Sequence, residues 1–437
     1  MSRKRFAWVL RVWASAGLLS VALAPSAPGQ TADAALKDRV GQLVEKLGAP
    51  KMEAAQAAED ALIKLGPRVL PLLPDAAAVK GGPPERAKRL ERVREKLREA
   101  TDQTNLDSSK VTLQAKGMRL SEVIQKLQAA TGNAITDLRE AEGGEATNPS
   151  LDLDFKDKPF LEALDIVCKQ AEVTPNFFTG DGTIGIIPGA PMQKGPIFYT
   201  GPFRVTFKQV GALRDLQADT TSASAQFEVA WEPRLRPMLL ALKADEIKVV
   251  DDQDRAIEAQ VKEESTDAVL RPDNPVAEIN LTLKAPERSA KKLKSLKVKA
   301  EVTVPTGLQA FRFPSLAVTK PVTIKQGEIG VTLESTEVDE QVWKVNMLLA
   351  YPGDGPAFDS YRQGLFNNRL WLQKSDGSRF EHNGGFSNTS SDGGTLGFEY
   401  LFVDAPGKPG DYGLVYETPS KVKPITLEFE FKDIPLP

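Results

Sequence analysis

Apolar side chains recur along this chain with two periods, and the change of period divides it. Between residues 33 and 100 the spacing is helical. Leu36, Val40, Leu43, Val44 and Leu47 form one stripe that ends at Gly48. Ala54 to Leu65 forms a second helix stopped by Gly66-Pro67, and Val69 to Leu73 is a short turn with Pro71 and Pro74. Glu85 to Ala100 follows the break Gly81-Gly-Pro-Pro84, and Thr101 to Ser109 reads as a polar linker. The last helix mixes Arg, Lys and Glu, which predicts a solvated face with helical ion pairs; a basic binding surface is the alternative.

Residues 110–188 predict a small module of two strand–helix–strand units in tandem, a βαβ-βαββ order. Val111-Thr-Leu113 is a strand, Arg119 to Thr131 carries Leu120, Val123, Ile124 and Leu127 at helical spacing, and Gly132-Asn133 ends that helix. Ala134-Ile-Thr136 starts a second strand. Leu151 to Phe155 alternates as a strand, and Pro159 to Ala171 is a helix. Asn176 to Phe178 and Thr183 to Ile187 close a hairpin across Gly180-Asp-Gly182.

Past the Gly/Pro-rich stretch 189–201 the period becomes two. Phe203, Val205 and Phe207 alternate with Arg204, Thr206 and Lys208, and the same holds at Phe227, Val229 and Trp231, at Ile279, Leu281 and Leu283, and at Val298 to Val304. Such alternation predicts half-buried antiparallel strands and a β-sandwich over 196–320. The lysines of 291–299 solubilise that sheet and guard an edge, with an anionic surface as the alternative ligand. A second sandwich is predicted over 321–437 from Ile329 to Leu333, Trp343 to Leu349, Leu370 to Gln373 and Glu399 to Val403. The alternating Ile425 to Phe431 closes it.

Composition narrows the reading. Met1-Ser-Arg-Lys-Arg5 precedes an uncharged run, Val12 to Ala24, so residues 1–30 read as a secretory signal peptide cleaved between Ala24 and Ala34. Export to the periplasm or an equivalent envelope space is expected, with no transmembrane anchor after cleavage. The mature chain of about 400 residues suggests two to four domains. A net charge of -3 argues against a nucleic-acid partner. Cys168 is the single cysteine, which excludes an intrachain disulfide. It lies on the inner stripe with Leu161, Leu164 and Ala171, as a small buried hydrophobe.

Candidate chemistry is sparse. His382 is the single histidine, in a loop, so a multi-histidine metal site is impossible and a catalytic triad is not expected. Asp251, Asp252 and Asp254 could chelate calcium, but the spacing is not that of an EF-hand and a hairpin turn accounts for them. Trp231, Arg234 and Arg236 could anchor a partner, against a core tryptophan with arginine packed on it. Asn383 to Gly394 reads as a polar loop, with Trp371 nearby as an aromatic platform if glycan binds. No cofactor is expected.

Three resemblances follow. Leu47-Gly48, Ala54-Ala55, Ala57-Ala-Glu59, Ala61-Leu62 and Leu65-Gly-Pro67 resemble a HEAT-type repeat, which implies a unit that must stack on something to bury its core. Val111-Thr-Leu113, Leu120-Ser-Glu-Val123, Ala130-Thr-Gly132, Leu153-Asp-Phe155, Lys158-Pro-Phe160, Glu162-Ala-Leu164 and Gly182-Thr-Ile184 resemble the short N-terminal (STN) domain of secretins and TonB-dependent receptors. The chain departs from that pattern between Asp137 and Pro149, and no barrel or plug is legible downstream. The resemblance therefore implies a docking habit and not a transport role. The whole order is similar to exported bacterial proteins that join a HEAT-like lead to immunoglobulin-like modules. The expectation is a multidomain α+β, non-enzymatic, exported protein that docks envelope protein or peptide partners. A carbohydrate-binding or carbohydrate-active β-sandwich protein and a periplasmic sensor are the alternatives.

Overall fold

The computed structural model describes residues 28–74, 84–143, 147–190, 195–260, 265–351, 364–365, 368–392 and 394–437. The signal-peptide reading falls almost wholly outside them. Strand outweighs helix, 51% to 23%, in a mixed α/β chain with several antiparallel sheets. Among the described residues no helix is long and apolar enough to cross a membrane. Two compact units divide the chain, residues 1–101 and 102–437.

In the first unit, α1 (Pro28–Lys46) and α2 (Met52–Leu65) precede a 3-10 turn at Pro67–Leu72, and α3 begins at Pro84. Gly66, at φ +80, lets the chain leave α2 before Pro67. Val40, Val44 and Leu47 pack with Leu62 and Val69 and with Leu90, Val93 and Leu97 of α3. The expected dependence on an external stack is corrected here: α3 supplies the missing apolar face, so the helices bury a core among themselves. Its charges are not all solvated either. Arg89 is buried and bonds the buried Glu59 at 3.1 Å, with Arg92 at 3.3 Å from the same carboxylate. Helix α3 runs on to Leu106 through the segment expected to be a polar linker.

The second unit opens with β1 (Lys110–Arg119), α4 (Leu120–Thr131), β2 (Ile135–Asp137), β3 (Ser150–Pro159), α5 (Phe160–Gln170), β4 (Val173–Asn176) and β5 (Ile184–Pro188). Strands β1 and β3 pair antiparallel. Strand β5 lies between β2, parallel to it, and β4, antiparallel to it. The helical stripes Leu120, Val123 and Leu127 and Phe160, Leu164 and Val167 fill one core with Leu153 and Phe155. That core also takes Ala230 and Val276 from the strands that follow.

Those strands begin with β6 (Ile197–Thr200), β7 (Phe203–Asp215), β8 (Thr220–Trp231) and β9 (Leu239–Asp251). Then come β10 (Ala256–Ile257), β11 (Ser265–Val269), β12 (Val276–Lys284) and the 22-residue β13 (Lys292–Phe313). After them run β14 (Val322–Gln326), β15 (Ile329–Asp339), β16 (Val342–Ala350), β17 (Arg369–Lys374) and β18 (Arg379–Glu381). The last are β19 (Phe386–Asp392), β20 (Thr395–Val403) and the 24-residue β21 (Tyr412–Pro435). A four-stranded sheet, β12-β8-β7-β6, and a five-stranded sheet, β14-β15-β16-β20-β19, each share a core with a seven-stranded sheet built around β9, β13, β21 and β17.

The expected boundary at 320 does not separate two cores. Strands β13 and β21 pair along almost their whole length and contribute to both. Val298, Val302, Leu427, Phe429 and Phe431 face the first core, where Phe207 meets Phe431 and Phe227 meets Phe429 edge-on. Phe311, Phe313, Leu414 and Tyr416 face the second. The final strand, expected to close the second sandwich, therefore closes the first with residues 425–434. The changeover falls at a bulge, where register slips on both sides of Gly307. A Cβ at Gly307 would lie 2.5 Å from Ser420 Oγ, so a side chain at this crossing would have to displace the serine hydroxyl.

Candidate functional site

Helix α5 turns its apolar stripe inward, which leaves Glu162, Asp165, Ile166 and Lys169 on its other side. That side, with Phe177 and Phe178 after β4, forms one wall of an open groove of about 1040 Å³. The opposite wall is the outer face of β6 and β7, where Ile197, Tyr199, Arg204 and Lys208 stand. Alternation sets this face: Phe198, Val205 and Phe207 point into the β core, so their neighbours point out.

Charges close the bottom of the groove. Arg204 is buried and bonds Asp165 at 2.7 Å through Nε, while its Nη1 donates to Thr206 Oγ1 at 2.8 Å. Tyr199 donates its hydroxyl to Asp165, and the Arg204 guanidinium lies 5.5 Å from the Phe177 ring centre. Burial pushes the Tyr199 hydroxyl far above its ordinary range and the Asp165 charge adds to this, so Tyr199 is a neutral donor. Lys208 pairs with Glu228 at 2.8 Å toward the open end. Cys168 is fully buried behind α5, where burial holds its thiol protonated. The groove walls thus offer apolar surface and internally paired charges. A nucleophile poised against a base is not among the described lining residues.

A second node fixes the module to the β strands. Glu232 is fully buried and accepts from Ser109 N at 2.8 Å, Ser109 Oγ at 2.5 Å, Asn133 Nδ2 at 3.0 Å and Arg234 Nε at 2.7 Å. Asn133 Oδ1 in turn accepts from Arg234 N at 3.2 Å. Four charge-assisted bonds satisfy a carboxylate that would otherwise be costly to bury.

The residues singled out from sequence are not brought together. Trp231 is 2% exposed in the first β core and cannot anchor a partner at the surface. Arg234 is spent on Glu232 and on the carbonyl of Asp107. Arg236 is half-buried on the far side of the turn, where burial and the neighbouring Arg369 lower its pKa. Trp371 is also 2% exposed and is covered by the guanidinium of Arg379, 4.6 Å from its ring centre, so the aromatic platform for glycan is absent. The expected loop 383–394 contains β19, an edge strand paired with β20. Asn383 bonds both the N–H and the carbonyl of Val403 at 2.9 Å.

The Asp251 group forms a turn. Asp251 is buried and accepts from Gln253 N at 2.9 Å, Arg255 N at 3.0 Å and Arg255 Nε at 2.7 Å. Burial raises its carboxyl, but these donors outweigh that and hold it below its ordinary value. Asp252 accepts from Lys291 N, and Asp254, at φ +62, pairs with Lys294. Among the described residues no cluster of three or more metal-ligating side chains occurs. His382, expected in solvent, is half-buried against Tyr400 and Phe402, each ring centre 5.4 Å away, and its Nε2 lies 2.7 Å from Gly385 O.

Sequence reasoning missed Glu232, Asn133 and Ser109, and the triplet Asp165, Tyr199 and Arg204. Each cluster is assembled from distant positions, and nothing in local spacing marks it. The fold and the groove define a β-rich, mixed α/β protein with a cleft between a small helical module and a sheet edge. No family model matches the chain, and no curated protein matches it.

Proposed function

We propose that this is an exported, non-enzymatic protein-interaction or scaffolding protein of the bacterial cell envelope, with its docking site on the 110–188 module. The observation that carries this reading is the groove between α5 and β6–β7. Ile166 and Phe178 are 41% and 50% exposed on its rim, beside charges already satisfied within the groove. Exposed apolar side chains rimmed by polar groups mark interaction surfaces. The tandem strand–helix order supports an STN-like module, the paired β layers support immunoglobulin-like modules, and the basic-then-apolar start supports export.

The test is capture of partners from an envelope extract by the intact chain and by an Ile166→Ser, Phe178→Ser variant. Both side chains are solvent-facing, so folding should be unchanged by near-ultraviolet circular dichroism. Partners recovered by the wild type and lost by the variant are expected. Equal recovery sinks the docking role of this module.

A further inference from the structure

Of the two arginines that follow Trp231, Arg234 is held by Glu232, whereas Arg236 makes no hydrogen bond or ion pair among the described residues. Arg236 is half-buried, and burial together with the like charge of Arg369 holds its pKa below the ordinary value, with Glu417 opposing in part. Its backbone is unusual as well. It has φ +47 and ψ 56, the left-handed region, and it precedes Pro237, which restricts its neighbour to extended conformations. Bonds on both sides fix this turn: Leu235 N donates to Glu232 O at 3.0 Å, and Met238 N donates to Thr303 O at 2.8 Å. A strained, half-buried cation without a partner costs stability, and such positions cluster at binding sites.

Arg236 lines a pocket of about 50 Å³ together with Arg369 and Glu417, and Met238, Leu270 and Leu308 supply apolar wall. Arg369 stands on β17 opposite Glu417 of β21, yet neither arginine forms an ion pair with Glu417. The ion pair of Arg369 is a long one, 3.9 Å to the exposed Glu381. Two cations against one carboxylate leave this wall with one positive charge over. None of these residues lines the groove beside α5.

We propose that this pocket binds a small monocarboxylate, whose oxygens accept from Arg236 and Arg369 and whose short apolar tail lies against Met238, Leu270 and Leu308. A carboxylate matches the planar fork of an arginine and carries the single charge that the wall lacks. Glu417 disfavours a second negative charge, which argues against a phosphate dianion. One water needs ~10–15 Å³ of such space, so the tail is short. A free short-chain acid and the C-terminal carboxylate of a polypeptide offer the same group.

Propionate is titrated into the full chain by calorimetry near neutral pH and at constant ionic strength, with chloride, inorganic phosphate and propionamide as controls. Saturable binding at one site per chain is expected for propionate, with weaker or no binding of the controls. Arg236→Gln and Arg369→Gln should each weaken binding about tenfold or more, because each removes a charge-assisted bond. Glu417→Gln should tighten it about threefold by removing the opposing charge. Arg236→Gly suits the left-handed backbone, so it should abolish binding while the thermal midpoint holds or rises. A blocked tripeptide ending in alanine, with its amide as control, distinguishes the sources. Competition by the peptide acid at higher affinity than propionate identifies a polypeptide C-terminus, and propionate binding without such competition identifies a free acid.

Absence of saturable binding by both propionate and the peptide acid overturns the proposal. So does binding that survives Arg236→Gln or Arg236→Gly, binding weakened by Glu417→Gln, or equal or tighter binding of phosphate or propionamide.

Discussion

Two buried carboxylates of the second unit, Glu232 and Asp251, have nearly the same exposure and opposite roles. Both accept a bond from a nearby arginine Nε at 2.7 Å. The partners of Asp251 on its own loop are Gln253 and Arg255, so it shapes a turn. The partners of Glu232 include Ser109 and Asn133, more than ninety positions away in sequence, so it ties the α/β module to the β strands. A carboxylate satisfied locally can be lost with its loop. One satisfied from afar holds two parts of the fold in register.

Glu232→Ala should show the largest effect, because it leaves Asn133 and Arg234 without their buried acceptor. A loss of about 3–5 kcal/mol is expected, measured by urea denaturation, with exposure of the 110–188 module to protease as the sign of undocking. A loss under about 1 kcal/mol would reduce Glu232 to the status of Asp251. Asn133→Ala removes one buried donor and one acceptor and should cost about 1–3 kcal/mol in the same assay. Asp251→Ala should cost less than half of the Glu232→Ala effect, with enhanced exchange confined to 251–256; protection lost in the 110–188 module would break the distinction.

The smallest effect is the pH response of His382. Burial disfavours its charged form, opposed in part by the bond to Gly385 O, so its pKa lies below the ordinary 6.5. The unfolded chain then takes up the proton first. The contribution of neutral His382 is complete above about pH 6.5 and drains away as pH falls from there toward the lower folded-state value. The urea midpoint of the wild type should fall between pH 7 and 5.5 (about one unit around the free imidazole value) more than that of His382→Gln. Parallel profiles would refute this.

The same contrast between local and distant partners marks how far the sequence could be read. Helices α1, α2, α4 and α5 were legible because their apolar stripes are local signals, as are the glycines that follow α1, α2 and α4 and the Pro159 that precedes α5, and the Asp251 turn was legible for the same reason. Alternation at Val298–Val304 and Ile425–Phe431 told which side chains face inward. It could not tell that these two segments pair with each other, so the boundary at 320 was misplaced. Local spacing left Trp231 open between a partner anchor and a core residue, and Trp371 was a candidate only through the polar loop near it in sequence; both are buried, with Arg234 held by Glu232 and Arg379 lying over the Trp371 ring. The 383–394 segment hid a strand because Ser, Asn and Thr in an outermost position follow their neighbour β20 and not their own propensity. The groove was invisible because Asp165, Tyr199 and Arg204 meet only after α5 and the β6–β7 hairpin have packed.

The long pairing of β13 with β21 sets a timetable for the newly made chain. When β13 has been synthesised, its partner across Val298 and Val302 has not, because β14 to β20 come between. The apolar faces of Phe207 and Phe227 must wait for Phe431 and Phe429. Neither β core can be completed until β21 has been made, because both include its residues. Contacts this remote close slowly, and the waiting strands are where a chaperone would find work.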